Sequence, residues 1–274
     1  MQALPFVFAL AVAVVMAPAA RRALLAGGFT RENYRGVALA FPFGFVLAAS
    51  AAVALVPLAL LGRLADADVF RPEIGLIVVY ALGVTFLGLV DDAFSGPSRG
   101  WRGHGAAVAG GALSTGALKA AGALGLALFA LSGTTDDDGH WLLSAAVVVL
   151  ATNLFNLLDL RPGRSIKVFV VLGVLLTLGA WNAHPLEALG LFVGPALVVG
   201  LYDLRERVMM GDTGSNLLGG LAGIWLVLTL STAGEIVALV VLAGITLYGE
   251  FRSISELVDR VPLLRRLDSL GRPG

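Results

Sequence analysis

The sequence predicts an all-α, polytopic integral membrane protein with about nine transmembrane helices. Three observations carry this reading. Of the 274 residues, 58% are hydrophobic and only 14% are charged, whereas soluble chains carry roughly a quarter charged residues. Apolar runs recur along the whole length, each near the ~20 residues that span a bilayer. The basic residues, finally, are confined to alternate loops. The chain has no cysteine, so disulfides and thiolate metal sites are excluded. The formal net charge is zero, and nothing in the composition points to a nucleic-acid partner.

The expected spans are 3–19, 36–62, 74–90, 115–132, 141–158, 166–181, 186–202, 214–231 and 234–249. One set of loops (20–35, 91–115, 159–167, 203–212 and 250–274, with Lys119 at the foot of the fourth span) holds all but Arg63 and Arg71 of the 19 Lys and Arg residues. The other set carries Asp66, Asp68, Glu73, Asp136, Asp137, Asp138, Glu187 and Glu235. The positive-inside rule then sets the N-terminus outside and the C-terminus in the cytoplasm, which fits a multi-pass protein of the plasma membrane. The first segment resembles a signal peptide at Ala17-Pro18-Ala19 but lacks a basic n-region, and cleavage would leave Arg21, Arg22, Arg31 and Arg35 outside. It is read as a retained first span.

Taken in order, the loop 20–35 reads as a topology anchor. The second span, with Pro42 and Pro57 inside it, is long enough to be tilted or kinked. The third ends in Gly88-Leu89-Val90-Asp91-Asp92. Adjacent carboxylates at the end of an apolar helix resist joint ionisation without a cation, so the pair reads as a metal- or phosphate-handling site or as a solvated helix end. The loop from Ser95 to Gly111 is Gly-rich and holds Arg99, Arg102 and His104. Ser114 caps the fourth span, where Lys119 either snorkels or meets an anion. Asp136-Asp137-Asp138 reads as a solvated turn.

The fifth span closes with Asn153, Asn156 and Asp159 at intervals of three, one broad helical stripe. Arg161, Arg164 and Lys167 follow at once and read either as anchors or as a phosphate clamp. Spans six and seven supply no chemistry, and Tyr202 to Arg207 is a charged link. Met210-Gly211-Asp212-Thr213-Gly214-Ser215 then opens span eight. Here a carboxylate lies beside the free N–H groups of a helix start, so Asp212 can hold a divalent cation while those N–H groups hold a phosphate. Asp212 or Thr213 as a plain N-cap is the alternative. Ser215, Gly219 and Gly223 form a small-residue stripe for close helix packing. The chain divides into a transmembrane body, 1–249, and a C-terminal segment, 250–274, in which Ser253-x-x-Glu256 is a capping box, Pro262 restarts the helix and apolar residues alternate with arginines. That segment reads as an interfacial amphipathic helix on the bilayer.

Gly88-Leu-Val-Asp91-Asp92, Asn153-x-x-Asn156-x-x-Asp159 and Met210-Gly-Asp212-Thr-Gly-Ser215-x-x-Leu-Gly-Gly220 resemble the successive motifs of the polyprenyl-phosphate N-acetylhexosamine-1-phosphate transferases, relatives of phospho-N-acetylmuramoyl-pentapeptide transferase. The resemblance covers about residues 35–225. It implies a catalytic cleft at the cytoplasmic face and a Mg2+-dependent transfer of a phospho-amino-sugar from a UDP-sugar to a polyprenyl phosphate in cell-wall biogenesis, with release of UMP. By resemblance Asp212 would ligate Mg2+, while Asp91 and Asp92 would orient the lipid phosphate or share the metal. Asn156 and Asp159 would line the nucleotide-sugar cleft. Lys119 joins the catalytic set, and Asn153, Thr213, Gly214 and Ser215 the substrate-binding set. A homodimer is compatible with the family.

Two departures stand out. Where the family continues the second motif as Asp-Gly-x-Asp-Gly, this chain has Asp159-Leu-Arg161-Pro162-Gly163, and the family's histidine-rich last loop is replaced by Tyr248-Gly-Glu250-Phe-Arg252-Ser253. The expectation is that Arg161, Arg164 and Lys167 replace that machinery as a diphosphate clamp. A catalytically inactive homologue serving as a scaffold or regulator in envelope assembly is the alternative. A transporter would need charges or broken helices near the midplane, whereas the ionisable residues here lie at the span edges.

Overall fold

The computed structural model describes residues 1–94 and 114–272. Each of the nine apolar runs forms a helix, and around them lie a small hairpin, one short helix and a C-terminal helix pair. The order is α1 (Leu4–Ala26), β1 (Thr30–Glu32), β2 (Ala38–Ala40), α2 (Phe45–Leu64), α3 (Ile74–Phe94), α4 (Thr115–Ala130), α5 (Asp138–Leu158), α6 (Arg164–Ala180), α7 (His184–Ala188), α8 (Gly190–Leu204), α9 (Gly211–Thr229), α10 (Thr232–Phe251), α11 (Ile254–Arg260) and α12 (Pro262–Ser269).

The count of nine spans is corrected. Among the described residues five helices, α1, α2, α3, α5 and α10, are long and apolar enough to cross a membrane. The others fall short for two physical reasons. Helices α4, α6 and α8 have 16, 17 and 15 residues, and at 1.5 Å per residue such helices rise only about 22–26 Å against a ~30 Å hydrocarbon core. Helix α9 has 19 residues, but its sequence is diluted by glycine and polar side chains.

That dilution suits its place. Helix α9 is the axis of the molecule, buried almost without interruption from Gly211 to Leu226, and it packs along α3, α5 and α6. The Ser215–Gly219–Gly223 stripe lies against α5, as its spacing implies. A Cβ on Gly219 would come within 2.6 Å of Thr152 Cα, and one on Gly223 within 2.6 Å of Val148 Cα. At Gly88 on α3 a Cβ would sit 2.4 Å from the Asp212 carbonyl oxygen. Small residues thus let backbones approach where hydrophobic force between helices is weak. Helix α1 packs on α8 and α2, α4 on α3, and α10 on α5.

The loops sort into two ends. Gln2 donates to Asp68 (2.9 Å), Arg71 pairs with Glu187, His184 meets Glu73 (2.9 Å), and buried Glu235 takes bonds from His140 (2.8 Å) and Ser144 (2.7 Å). These ties close one end. Asp137 caps α5 there by accepting from His140 N. The opposite end gathers the acidic motifs and the basic loops among the described residues.

The hairpin at that opposite end corrects the second-span expectation, for α2 begins at Phe45 rather than 36. Thr30 pairs with Ala40 and Glu32 with Ala38, around a turn in which the Asn33 side chain accepts from Arg35 N and Val37 N. Ala40 also bridges Val208, and Met209 and Met210 carbonyls accept from Phe43 N and Gly44 N. Residues 38–44 therefore satisfy their backbone against the link before α9 instead of in a helix, and Pro42 has no N–H to extend α2 backwards.

Ser253 caps α11 by accepting from Glu256 N, and Pro262 opens α12, as the capping box and proline imply. Leu257, Val261, Leu263, Leu264, Leu267 and Leu270 of this segment are exposed.

Candidate active site

Four helices bring the acidic motifs to one point. Asp91 and Asp92 lie in the last turns of α3, Lys119 in the first turns of α4, Asn156 near the end of α5, and Asp212 at the start of α9. Lys119 Nζ stands between two carboxylates, 2.8 Å from Asp91 Oδ2 and 2.6 Å from Asp212 Oδ2. With its amide nitrogen turned to Asp212, Asn156 donates to both Asp212 oxygens at 2.8 and 3.3 Å, and its oxygen accepts from Lys119 at 2.8 Å. Ser215 Oγ lies 3.3 Å from the same amide. The cluster is only partly reached by solvent, the Asp212 side chain being 29% exposed.

Asp92 points the other way. Its oxygens accept from Asp212 N (3.0 Å), Thr213 N (2.9 Å) and Thr213 Oγ1 (2.6 Å). The expectation that the first N–H groups of α9 are free for a phosphate is therefore corrected at residues 212 and 213, which Asp92 already satisfies. A carboxylate in this position suits the positive end of the helix dipole. Thr213 is engaged by Asp92, and Gly214 supplies contact rather than polarity, because a Cβ there would meet Met210 Cγ at 2.1 Å. Asn153, a turn earlier in α5, makes no side-chain hydrogen bond among the described residues.

Asp159 caps α5 beside Ser165, whose hydroxyl donates to it at 3.5 Å. Burial pushes its carboxyl well above the usual carboxylate range, and the charges of Asp203, Asp212 and Asp92 push the same way. A small cavity of ≈ 30 Å³ is lined by Asp159, Arg161, Asp203, Asn33, Tyr34 and Met210 among others. Asp159 thus belongs to the same acidic end without joining the Lys119 cluster by a direct bond.

The three expected clamp cations all meet the C-terminal segment. Arg161 makes a two-point pair with Asp259 (3.1 and 2.8 Å), and Arg164 one with Asp268 (3.0 and 3.1 Å) plus a bond to Ser255 (3.2 Å). Lys167 donates to the carbonyls of Leu267, Asp268 and Leu270. Arg272 adds bonds to Asp268 and to Pro162 O. Burial pushes the Asp268 carboxyl up, but Arg164 and Arg272 outweigh it and hold it at about 2. In this arrangement Arg164 and Lys167 hold the C-terminal segment, and only Arg161 also lines the Asp159 cavity.

Sequence reasoning missed three residues at this end. Arg31 of β1 lies 4.0 Å from Asp92 and stacks 3.8 Å over Phe41. Glu206, at φ 51°, accepts from Asn33 (3.3 Å) and Tyr34 (3.1 Å), locking the hairpin to the link before α9. Buried Asp203 accepts from Gly163 N (2.7 Å) and Met210 N (3.3 Å), tying two loops together. A signal existed only for Asp203, since an acid in the last turn of a helix opposes the dipole and needs another reason to be there. The loop holding Arg99, Arg102 and His104 lies outside the described residues.

Among the described residues no three His, Asp or Glu side chains converge into a metal site. Two carboxylates do face one point, the Lys119 ammonium. Magnesium is commonly held by one or two carboxylates, with water and substrate phosphate completing its six oxygens, so Asp91 and Asp212 fit such a group. Comparison with family models returns no match, and a search of curated proteins returns none.

Proposed function

We propose that this chain is a membrane sugar-1-phosphate transferase acting on a UDP-linked amino sugar and a polyprenyl phosphate, in the plasma membrane with its acidic end in the cytoplasm. The observation that carries the proposal is the meeting of Asp91, Asp212, Asn156 and Lys119, from four separate helices, at one end of the bundle. The motif order in the sequence supports it. So does the gathering of the described basic loops at that end, which the positive-inside rule assigns to the cytoplasm.

In the reaction an oxygen of the lipid phosphate bonds to the β-phosphorus of the UDP-sugar. The bond from that phosphorus to the α–β bridging oxygen breaks, UMP leaves with the electron pair, and a polyprenyl-diphosphate sugar remains. A phosphate monoester has its second pKa near ~6, so the attacking oxygen is already anionic at neutral pH and needs no strong base. What the protein must supply is position and cancellation of charge between two anions. Bound Mg2+, held by Asp212 and Asp91, would supply that cancellation at the phosphates. Lys119 carries a mobile positive charge on a flexible stem beside both carboxylates and is placed to meet a phosphate oxygen. Asn156 fixes the Asp212 carboxylate by two hydrogen bonds, and Asp92 fixes the backbone beneath it, so both are positioning residues. Arg161, beside Asp159, is the cation best placed for the nucleotide side.

Pro162 in place of the family's second acid favours a second reading, a silent homologue that scaffolds envelope assembly. Incubating the purified full chain with undecaprenyl phosphate, Mg2+ and a panel of UDP-sugars separates the two. UMP release that is lost in Asp212→Asn is expected. No UMP from any sugar, by a protein that unfolds cooperatively, would overturn the enzyme reading.

A further inference from the structure

A cavity at the same end lies away from the carboxylates, between the ends of α1 and α8. It has a volume of ≈ 320 Å³ and is lined by Pro18, Arg21, Arg22, Tyr202 and Arg207. Three of its five lining residues are arginines and none is acidic. Among the described residues no carboxylate pairs with Arg21, Arg22 or Arg207, whereas Arg31, Arg35, Arg161, Arg164 and Arg272 at the same end all have one. Glu206, the neighbour of Arg207, is turned away into the hairpin, where it binds Asn33 and Tyr34. Arg21 spends its Nε on the Arg207 carbonyl (3.0 Å), which fixes the rim and leaves its terminal nitrogens for the cavity.

Three guanidinium groups around one hollow repel each other unless an anion joins them. Guanidinium matches phosphate geometry, binding it through paired N–H groups. The surroundings argue for a lipid as the source of that phosphate. Val14, Pro18 and Arg22 follow one another at intervals of four on one stripe of α1, and Val14 and Val15 are exposed, as are Leu197 and Leu201 on α8. Exposed apolar side chains of α1 and α8 thus flank the cavity, where an acyl chain would lie. A basic pocket against a helix long and apolar enough to cross a membrane, as α1 is, suits an anionic lipid head group. We infer that this cavity binds the phosphate head group of an anionic phospholipid, at a site distinct from the Asp91–Lys119–Asp212 cluster.

Occupancy there would reach the acidic cluster through a short path. Tyr202 stacks on Phe43 at 5.7 Å, Phe43 N donates to Met209 O at 2.8 Å, and Asp212 lies five residues beyond Arg207. The inference does not depend on the transfer reaction, and its test reads lipid directly.

The test is native mass spectrometry of the full-length protein equilibrated with phosphatidylglycerol or phosphatidylcholine at equal concentration. Wild type is expected to retain phosphatidylglycerol preferentially. R22Q/R207Q should lose about tenfold or more of that preference, because each basic residue near the surface contributes substantially to anionic-lipid binding. R22K/R207K, which keeps the charge, should recover part of it. Equal retention of the two lipids by wild type overturns the proposal without recourse to any variant, as does an R22Q/R207Q preference equal to wild type. Displacement of the lipid by inorganic phosphate at the same concentration overturns the lipid assignment and makes the site one for a soluble phosphate.

Discussion

Gly88→Ala tests whether the acidic cluster is set by backbone contact between α3 and α9. The added Cβ would stand 2.4 Å from Asp212 O, 2.6 Å from Asp212 C and 2.7 Å from Thr213 Cα, all backbone atoms that cannot swing aside. Ordinary contact begins at 3.4 Å, so the start of α9 must retreat by about 1 Å, and overpacking of this kind costs about 1–3 kcal/mol. Alanine returns up to about 1 kcal/mol of helix propensity over glycine, leaving a net loss of up to about 2 kcal/mol. For a chain of this size each kcal/mol lowers Tm by about 2–4 °C. The same ~1 Å carries Asp212 away from Asp91 and Lys119, and a displacement on that scale costs about 10²-fold in rate where positioning is the main catalytic device. Gly125→Ala on α4 is the control, since nothing lies within 4 Å of its Cβ, and it should leave Tm unchanged or slightly raised. The assays are thermal unfolding in detergent and UMP release. A Gly88→Ala protein with wild-type Tm and wild-type turnover would refute the reasoning.

Other perturbations follow from the same contacts. Lys119→Met removes the ammonium between Asp91 and Asp212, and breaking a buried pair costs up to ~3–5 kcal/mol, less at this partial exposure. Its Tm should fall, and should rise with millimolar Mg2+ more than wild type does; equal Mg2+ response in both would remove the two carboxylates as a cation site. Asp92→Asn removes the charge and replaces one of two accepting oxygens by an NH2 group, so at least one of the donors Asp212 N, Thr213 N and Thr213 Oγ1 loses its acceptor, and hydrogen bonds to a charged group contribute about 1.5–3 kcal/mol each. A Tm drop of several degrees is expected, with Asp92→Glu less harmful than Asp92→Ala. The carboxyl of Asp268 is held down at about 2, below its unfolded value of about 3.9. Its contribution to docking is therefore complete above about 3.9 and is lost only as pH falls through about 2. Trypsin cleavage at Arg265 and Arg266 should stay slow at neutral pH in wild type and become fast in Asp268→Asn. Hydrogen-exchange protection factors of residues 254–269 at pH 4.5 should match those at pH 7, and a C-terminal segment released by pH 4.5 would contradict the ion-pair account.

The helical framework was legible because it is local. Every apolar run of the sequence contains a helix, and the caps at Ser114, Ser253 and Pro262 act where their spacing puts them. The acidic site was legible for a related reason. Asp91, Asn156 and Asp212 each end or open an apolar helix, so alternation of direction alone carries them to one end. The hairpin was not legible, because Val37 to Phe41 reads as the start of an apolar span and its true partners are Thr30–Glu32 and Val208, the latter 168 residues from Ala40. The partners of the cations after Asp159 were hidden for the same reason. Arg161, Arg164 and Lys167 look like unpaired cations beside a carboxylate, yet Asp259 and Asp268 lie about a hundred residues on. A sequence shows where charge is, and only the fold shows which charge meets it.

A further set of long-range ties shares one target, the link from Asp203 to Gly211. Asp203 binds its end through Met210 N and joins it to Gly163, Glu206 joins it to the hairpin, and Ala40 runs beside Val208. Met209 and Met210 carbonyls hold the residues just before α2. Gly211, at φ +74°, then turns the chain into α9 with Asp92 beneath it, and a Cβ at that position would stand 2.7 Å from Asp92 Oδ2. The carboxylate of Asp212 is thus fixed by its own backbone from several sides, and its side chain has little conformational freedom left to lose on meeting a ligand. Arg207, inside the same link and on the wall of the arginine cavity, is the one lining residue whose backbone belongs to this brace. An anion drawing Arg207 toward Arg21 and Arg22 would therefore act on Asp212 along five residues of constrained chain rather than across the bilayer. Hydrogen exchange at Val208 to Gly211 should accordingly slow when phosphatidylglycerol binds and stay constant in R22Q/R207Q, whereas equal slowing in both proteins would show that cavity and cluster are uncoupled.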